Sequence, residues 1–581
     1  MGDRSHSLKI LKGRDFADRL REVCAPPLPA RPLADPKYQR ILIPGLCGGE
    51  VQFALLGFIG QALRIRGAKV TALMCDELLP ACTLRKVDHH ESACTRWCHK
   101  NSGPFARAMK LPHRWYGEFL TATERHAAAT LAGQVPIGEI RSFSYRHIEL
   151  GELIQRSLES FYKVGSIDLD SPGVRAKARE FLLAAVYLTD IGYRVLDELA
   201  IDKVLLEDGT KTDWGVIRAV ARRMGIPVDR LLISPRGRRV MIEWDRPPNP
   251  RESMPAWSIW KDTPLTPQQE AELDDYLARR ERVPVEGTTF CAGTRRFEPA
   301  EARRLLGLPV TLPAGAKVMA MFPNVGYDAG FGAHRPAFDN AADWVLQTVE
   351  FFRHSPAHHL VVKVHPGEAF YAARDSATDL LSRPPAANIH VVPPDSPLTA
   401  HSVIDLADVA LVYTSTIAAE AAALGTPVIL VGGGLHTGRG FTMDVTTPTE
   451  YFDTLQRCLT SHGEPSFPRE TARRYAHAFF IRAALPMRWF DVSNLNVSEI
   501  TLDTINDLAP GRDPAMDGIC RSVLLDELPG LSPVCSPVPT VRPLREQPER
   551  RQKLVPAQPR DSEHDHGPQD IRNDPVGVPP Q

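Results

Sequence analysis

Residues 40–76 combine two short apolar runs with one helical segment, and this pattern restricts the chain to few folds. The runs "ILIP" and "AKVTALMC" are apolar enough to form buried strands. The segment "VQFALLGFIGQALRIRG" between them has apolar residues at helical spacing and ends at Gly67, a typical residue after a helix. Strand, helix and strand in this order predict a βαβ unit, which favours a parallel, doubly wound α/β sheet.

A second series of the same kind begins near residue 316. Helical segments such as "TIAAEAAALG" alternate there with continuously apolar runs: "AKVMAMFPN", "HLVVKVHP", "NIHVVPP", "VALVYTS" and "TPVILVGGG". Strands of this composition are expected where helices cover both faces of a parallel sheet. The chain is therefore predicted to contain two Rossmann-like α/β domains, at residues 40–305 and 306–460.

The segments outside these domains differ in composition. The proline-rich stretch "CAPPLPARPLADPKY" predicts a leader or linker over residues 1–39, because prolines at this density resist helix and sheet. Residues 461–509 are predicted to be helical. Residues 510–581 are rich in proline and mixed in charge without an apolar period, and we expect a disordered tail.

Charge and hydropathy exclude several classes of protein. The chain has 69 basic and 70 acidic residues, so no overall basic excess indicates a nucleic-acid partner. The sequence has no apolar run of about 20 residues, so no transmembrane helix is predicted. The first residues also lack the apolar stretch of a secretory signal. We expect a cytoplasmic protein whose ten cysteines are reduced, buried or metal-bound.

Four loops of the second domain are candidates for ligand binding. In open α/β sheets, ligands bind beyond the carboxyl ends of the strands. The loops "FPNVGYDAGFG", "KVHPGE", "YTST" and "VGGGLHTGRGF" each follow a predicted strand and should meet at that edge. This convergence is the strongest structural indication of a site in the sequence.

Ser415 and Thr416 lie at the start of a predicted helix, where hydroxyls and free N–H groups face an incoming anion. Glu420 follows Thr416 by four residues on roughly the same helix face, where its carboxylate could accept hydrogen bonds from ribose hydroxyls. An ordinary helix cap and a solvated glutamate would give the same local sequence. The three neighbouring loops favour ligand binding.

His365 ends a predicted strand, and Pro366 disfavours the helical conformation for it and so keeps the imidazole at the rim of the sheet. Lys363 should point to the same side of the strand, and the pair would suit a phosphate or carboxylate. Arg439 lies in a glycine-rich loop whose backbone could approach phosphates. A core histidine and a flexible connection are the alternatives.

Four cysteines lie within 24 residues, with His89 and His90 between them: Cys75, Cys82, Cys94 and Cys98. They follow a predicted strand end, although their spacing differs from that of a zinc ribbon. Zinc or an iron–sulfur cluster could hold this loop, and buried, unconnected thiols are the alternative.

The segments "LVVKVHPGE", "ADVALVYTSTIAAEAAALGTPVIL" and "GRGFTMDVTTPTEYF" resemble the C-terminal half of bacterial capsule and surface-polysaccharide biosynthesis proteins. These are GT-B-type glycosyltransferases related to the capsule Kdo-transferase group. "FPNVGYDAGFG" resembles their Asn-Val-x-Trp-Asp-Ala segment, with Tyr327 in place of tryptophan. The resemblance covers about residues 310–455 and is looser over 40–260.

The resemblance implies a GT-B-like fold, in which two Rossmann-like domains face a cleft and C-terminal helices brace the first domain. It implies a nucleotide-sugar donor held mainly by the second domain, with these residues at or near the donor: Asn324, Asp328, His365, Ser415, Thr416 and Glu420. The expected acceptor is a polysaccharide or glycolipid, which allows a peripheral contact with the inner-membrane biosynthesis machinery.

An inverting transfer needs a base to take the proton of the acceptor hydroxyl. Glu50, at the start of the first helix, and Asp208, after "KVLLE", are the candidates, and a surface carboxylate is the alternative for each. A bound metal is not generally required, because helix N-termini and basic side chains can stabilise the leaving diphosphate. Two other functions remain open: a sugar-nucleotide epimerase of the same fold, and a non-catalytic partner in polysaccharide synthesis or export.

Overall fold

The structure is a computed structural model of the 581-residue chain. It describes residues 11–47, 49–87, 94–234, 238–246, 254–280, 295–326, 336–368, 374, 377–381, 386–461, 467–493 and 496–528. Asp328, His89, His90 and the tail from residue 529 onward lie outside the described residues. In the part that is described, no helix has the length and apolar character needed to cross a membrane.

The α-helices are numbered in chain order: α1 Gly13–Val23, α2 Glu50–Ile65, α3 Lys100–Ala108, α4 Ala122–Gln134, α5 Gly151–Tyr162, α6 Pro172–Glu198, α7 Thr212–Arg223, α8 Trp257–Trp260, α9 Pro267–Arg280, α10 Pro299–Leu306, α11 Ala341–Arg353, α12 Ala377–Leu380, α13 Ala400–Ile404, α14 Ile417–Leu424, α15 Pro448–Thr460, α16 Arg469–His477 and α17 Pro514–Leu525. Short π-helical segments span Cys94–His99 and Ala478–Arg482.

The strands are β1 Arg40–Pro44, β2 Lys69–Met74, β3 His113–Trp115, β4 Ser144–Tyr145, β5 Ile148–Glu149, β6 Lys203–Leu206, β7 Val228–Ile233, β8 Arg239–Asp245, β9 Val318–Phe322, β10 His359–Lys363, β11 Ile389–Val392, β12 Val409–Val412, β13 Val428–Leu430, β14 Met443–Asp444, β15 Leu485–Pro486, β16 Phe490–Ser493 and β17 Asn496–Ile500.

The first large sheet has the strand order β15-β8-β7-β6-β1-β2-β3. Strands β7, β6, β1, β2 and β3 are parallel, whereas β8 and β15 add antiparallel edges. Helix α2 follows β1 on one face of the sheet, and α7 follows β6 on the other face. The order therefore reverses between β1 and β6, which confirms a doubly wound α/β fold for this half.

The second sheet is entirely parallel, with the order β11-β10-β9-β12-β13-β14. Helix α11, after β9, packs on one face, and α14, after β12, packs on the other. This is the strand order of the Rossmann fold, and it reverses between β9 and β12. Val412 lies opposite Phe322 in the register, so the loops that follow these two strands begin side by side.

The predicted leader contains a helix. The proline-rich residues 24–38 have neither helix nor strand, as expected, but α1 precedes them. Its apolar face is buried, and the Phe16 and Phe105 rings meet edge to face with centroids 4.8 Å apart. The prediction of a leader without helix is wrong for Gly13–Val23 because its four apolar side chains at helical spacing find a partner surface on α3.

The region after residue 482 also differs from the prediction. Residues 461–509 are helical only as far as Arg482, and strands β15, β16 and β17 follow. Strand β15 extends the first sheet by pairing with β8. Helix α17 lies within the segment predicted to be a disordered tail, and its buried residues, including Met516 and Val523, belong to the core of the first half.

Lys203 joins this C-terminal helix to the first sheet. Its ammonium group is fully buried and donates hydrogen bonds to Asp526 Oδ1 at 2.8 Å, Asp229 Oδ2 at 3.2 Å and the Val523 carbonyl at 2.6 Å. Arg246 contacts the same two carboxylates. Because these charges are shielded from water, each is stable only while its partners are present.

We expect Lys203→Ala to lower the free energy of unfolding by about 3 kcal/mol or more, because it leaves buried carboxylates undercompensated. Arg175→Ala, which removes an exposed pair with Asp170, is the control and should cost less than about 1 kcal/mol. Urea unfolding followed by tryptophan fluorescence measures both. Equal losses in the two variants would contradict a structural role for the Lys203 cluster.

Candidate functional site

Two side chains fix the crevice of the second sheet at the point where its strand order reverses. Asn324, after β9, donates from Nδ2 to Thr414 Oγ1 at 2.8 Å, and Thr414, after β12, donates its backbone N–H to Asn324 Oδ1 at 3.2 Å. This reciprocal pair holds the two loops together where ligands of doubly wound sheets bind. Asn324 therefore lies at the predicted edge and has a structural role there.

A cavity of about 660 Å³ lies between the two halves of the chain. Thr210 and Lys211, which follow β6 of the first sheet, line one side. Gly326, Tyr413 and Thr446 follow β9, β12 and β14 of the second sheet and line the other. The carboxyl ends of both sheets thus meet at one cavity, and this is the GT-B-like arrangement that the resemblance implies.

His365 is a neutral imidazole, and one of its ring nitrogens accepts a hydrogen bond. Its Nδ1 accepts the backbone N–H of Gly367 at 3.0 Å, across the turn made by Pro366. Burial, together with the positive charges of Lys363 and Arg280, lowers the pKa of His365 to about 4. The proline therefore positions an uncharged imidazole, as predicted at this edge, and Nε2 is left to carry the ring proton.

Lys363 is buried and donates to the carbonyl oxygens of Val364 at 3.3 Å and Pro393 at 3.4 Å. These contacts hold the ends of β10 and β11 together. Lys363 supplies a positive charge close to His365. Its ammonium group, however, donates hydrogen bonds to backbone carbonyls and does not extend toward solvent.

Glu420 is buried rather than solvated. Its Oε2 accepts a hydrogen bond from His401 Nε2 at 2.9 Å, and its Oε1 lies 3.4 Å from Arg280 Nε. Burial raises the pKa of this carboxyl, but the positive charge of Arg280 and the His401 hydrogen bond outweigh burial and hold it below the ordinary value. Thr416 Oγ1 reaches Glu420 Oε1 at 3.5 Å, so the two predicted residues do share one face.

Ser415 and Thr416 lie at the start of α14, as predicted. Thr416 occupies the position before the first helical residue, and Ser415 Oγ accepts the backbone N–H of Ile417 at 3.4 Å. Gly425 follows the helix with a φ of 111°, which only glycine adopts readily. The predicted helix and both of its ends are confirmed.

The loop after β13 contributes a buried histidine next to Arg439. His436 is fully buried, and its Nδ1 contacts the Tyr475 hydroxyl at 3.0 Å. Burial and the charge of Arg439 lower the pKa of His436 to about 3. Its Nε2 is buried without a hydrogen-bond partner in the described part of the chain. Glu420 also acts on His436 electrostatically, so this loop and α14 share one polar cluster.

Asp208 organises the loop after β6. Its Oδ1 accepts the N–H and hydroxyl of Thr210 at 2.7 and 2.6 Å, and its Oδ2 contacts Lys211 Nζ at 2.9 Å. Burial opposes ionisation, but Lys211 and Arg230 hold the pKa of this carboxyl well below its usual range. Asp208 is therefore ionised at the first sheet's reversal point, one contact away from the cavity, and is a weak proton acceptor.

Glu207, the residue before Asp208, was not predicted as a site residue. Burial raises the pKa of Glu207 to about 7, and the negative charge of Asp208 adds to this effect, although a hydrogen bond with Gln52 opposes it. Adjacent carboxylates with widely separated pKa values are typical of acid–base sites. The segment "LLEDG" offers two carboxylates at a strand end, and only the folded structure distinguishes them, by the partners that Asp208 has and Glu207 lacks.

Glu50 has a different environment from the one predicted. Its Oε1 accepts the backbone N–H of Gly13 at 3.0 Å, so its carboxylate caps the start of α1. It does not line the cavity among the described residues. The carboxylate of Glu50 is therefore hydrogen-bonded to helix α1, which lies in the segment predicted to be a leader or linker.

Four cavity carboxylates were also missed: Glu152, Glu159, Asp339 and Asp343. The first two lie seven residues apart on α5 and so share one helix face. The others lie at the start of α11, where acidic residues are ordinarily explained by helix capping. No local pattern distinguishes them from solvated surface residues.

The cysteine loop lies close to the first sheet. The Cys82 and Cys94 side chains form one hydrogen-bonded pair, and Cys47 forms another with Cys98. Burial raises the pKa of Cys75 to about 12. None of the described cysteines forms a disulfide, and the described side chains contain no group of three or more that could hold a metal ion. The zinc or iron–sulfur site therefore stays a prediction.

No family model and no curated protein matches the chain. Among solved structures, the chain is similar to the KpsC β-Kdo 2,4 transferase of Thermosulfurimonas dismutans, at 13% identity over 53% of this chain and 87% of that one, with a TM-score of 0.29. It is also similar to the glycosyltransferase SnogD of Streptomyces nogalater, at 15% identity over 76% and 95%, with a TM-score of 0.22.

A third similar structure is the UDP-GlcNAc 2-epimerase of Neisseria meningitidis bound to UDP-GlcNAc. Identity is 10% over 76% of this chain and 99% of that chain, with a TM-score of 0.20. Scores this low carry no argument, so the fold assignment rests on the strand order of the two sheets.

The raised pKa of Glu207 makes stability depend on pH. The folded state keeps this proton up to about pH 7, whereas an unfolded glutamate releases it near 4.5. The folded state binds more protons in this window, so its stability falls as pH rises. Relative to Glu207→Gln, the natural protein should lose up to about 3 kcal/mol between pH 4.5 and 7.5.

Urea unfolding of both proteins at several pH values measures this difference. Glu139→Gln, at an exposed carboxylate, is the control and should follow the natural protein. A constant difference between the natural protein and Glu207→Gln across the pH range would show that Glu207 titrates normally.

Proposed function

We propose that this protein is a glycosyltransferase that moves a sugar from a nucleotide-sugar donor to a hydroxyl group of a saccharide acceptor. One observation carries the proposal: the reversal points of two doubly wound sheets open onto the same polar cavity. Ligands bind at such points in each sheet separately. A cavity that joins two of them suits an enzyme that brings two substrates together.

The donor is proposed to bind at the carboxyl edge of the second sheet. Arg280 and Arg439 bring positive charge to this edge, which suits the diphosphate of a nucleotide sugar. The start of α14 adds hydroxyls and backbone N–H groups at Ser415 and Thr416. The neutral imidazole of His365 provides a donor that does not titrate near neutral pH.

The proposed base is Glu207, which is not among the described residues that line the cavity but begins the loop after β6 that carries the cavity-lining Thr210 and Lys211. In a direct displacement, the acceptor oxygen forms a bond to the anomeric carbon while the bond from that carbon to the diphosphate oxygen breaks. The acceptor proton passes to Glu207, whose pKa of about 7 suits proton transfer near neutral pH. Asp208 stays ionised beside it and can stabilise positive charge that develops on the sugar ring.

The finer assignments rest on the resemblance of residues 310–455 to surface-polysaccharide glycosyltransferases. It supports a growing capsule or surface polysaccharide, or a glycolipid, as the acceptor, and a peripheral site of action at the inner membrane. The metal predicted at the cysteine loop has no part in the proposed transfer step.

The donor proposal predicts that nucleotide sugars raise the melting temperature of the protein. A panel of UDP, GDP, CDP and CMP sugars tests this by thermal shift, with calorimetry for any that bind. Arg439→Ala should weaken binding of the matching nucleoside diphosphate at least tenfold and that of the nucleoside much less, because it removes a charge near the diphosphate.

Arg457→Ala, on the outer part of α15, is the matched control and should leave affinity unchanged. If no nucleotide stabilises the protein, the transferase proposal fails, together with the epimerase alternative. If a nucleotide sugar is converted when it is incubated without an acceptor, the epimerase function replaces the transferase.

Glu207→Gln is expected to reduce the turnover number by about a hundredfold or more, because it removes the base. It should also abolish the rise in rate near pH 7, an effect that a general loss of stability would not produce. The control is Glu50→Gln, which keeps the oxygen that caps α1 and should retain near-normal turnover. A Glu207→Gln variant with an unchanged pH–rate profile would rule out this base.

A further inference from the structure

The charges around the cavity point to a particular class of acceptor. Among the described residues that line it, four are carboxylates, Glu152, Glu159, Asp339 and Asp343, and two are cations, Arg156 and Lys211. Arg156 is paired with Glu152, whose Oε1 lies 3.0 Å from Nε and 2.7 Å from Nη2.

Lys211 is also compensated, because it is paired with Asp208 at 2.9 Å. With Asp208 included, the described residues place five carboxylates against two cations at the cavity, an excess of three negative charges among them. Each of these two cations is therefore balanced by a carboxylate partner.

Tyr413 provides a second, independent indication of a ligand. Its side chain is only 2% exposed, and it lines the cavity, where the ring packs against Trp344 with centroids 5.6 Å apart. In the described residues, no hydrogen-bond partner of its hydroxyl is found. Arg156, Glu159, Asp339 and Asp343 all act on this hydroxyl electrostatically, so three carboxylates and one cation surround it.

Because Tyr413 lines the cavity and its hydroxyl has no described protein partner, water or a ligand must satisfy that hydroxyl. Carboxylates accept hydrogen bonds and donate none, so they complement the hydroxyl or ammonium groups of a ligand. The same carboxylates repel a ligand that is itself an anion. The cavity also has the size of a typical small-ligand site.

We propose that this cavity binds the terminal part of a hydroxyl-rich saccharide that is neutral or carries an amine, and that it discriminates against termini bearing a carboxylate or phosphate. This proposal rests on the proposed transferase function and names the substrate class of its acceptor. The donor diphosphate lies near Arg280 and Arg439, on the face of the second sheet that is opposite the cavity. The two charge preferences of the enzyme are therefore separated in space.

Three matched disaccharides test the proposal with the full chain: cellobiose, its glucuronic-acid counterpart cellobiouronic acid, and the glucosamine disaccharide of chitosan. Saturation-transfer NMR and calorimetry at low salt, with and without a nucleoside diphosphate, give their affinities. Cellobiose and the amino disaccharide should bind at least tenfold more tightly than the acidic one.

Variants at the cavity should change this preference in predictable ways. Combined Glu159→Gln, Asp339→Asn and Asp343→Asn should narrow the gap between neutral and acidic disaccharides to less than threefold. Tyr413→Phe should weaken the neutral disaccharide about tenfold and keep the charge preference. Glu139→Gln, an exposed substitution outside the cavity, should change neither quantity.

Equal or tighter binding of the acidic disaccharide, or failure of all three to bind, would overturn the proposal. The outcome is separable from the fate of the transferase proposal. Nucleotide sugars that bind while the acidic disaccharide is preferred would refute only the acceptor class. Saccharides that bind with the expected preference while no nucleotide binds would refute only the transferase.

Discussion

The reversal of strand order in each sheet is the constraint on which the site depends. Helices α11 and α14, which follow the neighbouring strands β9 and β12, pack on opposite faces of the second sheet. Since they depart in opposite directions, the loops between strand and helix must separate and leave a crevice. Asn324 and Thr414 fix the width of that crevice with two reciprocal hydrogen bonds. The first sheet repeats the same geometry with α2 and α7.

Burial and local partners then give neighbouring groups different chemistry. Glu207 and Asp208 are adjacent in the chain, yet the pKa of one is raised to about 7 and that of the other is held well below its usual range. The difference arises because Asp208 accepts hydrogen bonds from its own loop and a contact from Lys211. In the loops after β10 and β13 of the second sheet, partly buried His365 and fully buried His436 are kept neutral beside positive charges. Glu207 can therefore accept a proton, Asp208 is a fixed anion and His365 is a neutral donor.

The parallel parts of both sheets could be predicted because their information is local. Apolar strands, helical periods and glycines after helices determine the βαβ units around Gly67 and Gly425, and the edge of the second sheet follows from them. Strands β8 and β15, and helix α17, could not be assigned in this way. Strand β15 has only two residues and is defined by its pairing with β8, some 245 positions earlier in the chain. Site residues such as Glu207 and Tyr413 are distinguished by burial and by partners that are distant in sequence.

Strand β15 and helix α17 also affect how the protein must be made. The first half precedes the second in the chain, but its sheet and core are completed by strand β15 and helix α17, which are synthesised after the whole second sheet. The second sheet, by contrast, is encoded by one uninterrupted stretch and can be complete before then. During translation the first half therefore stays incomplete while the second half folds. Until β15 and α17 have been synthesised, it has an open sheet edge and an exposed apolar surface. Chain termination or proteolysis before residue 525 would damage the half that was synthesised first.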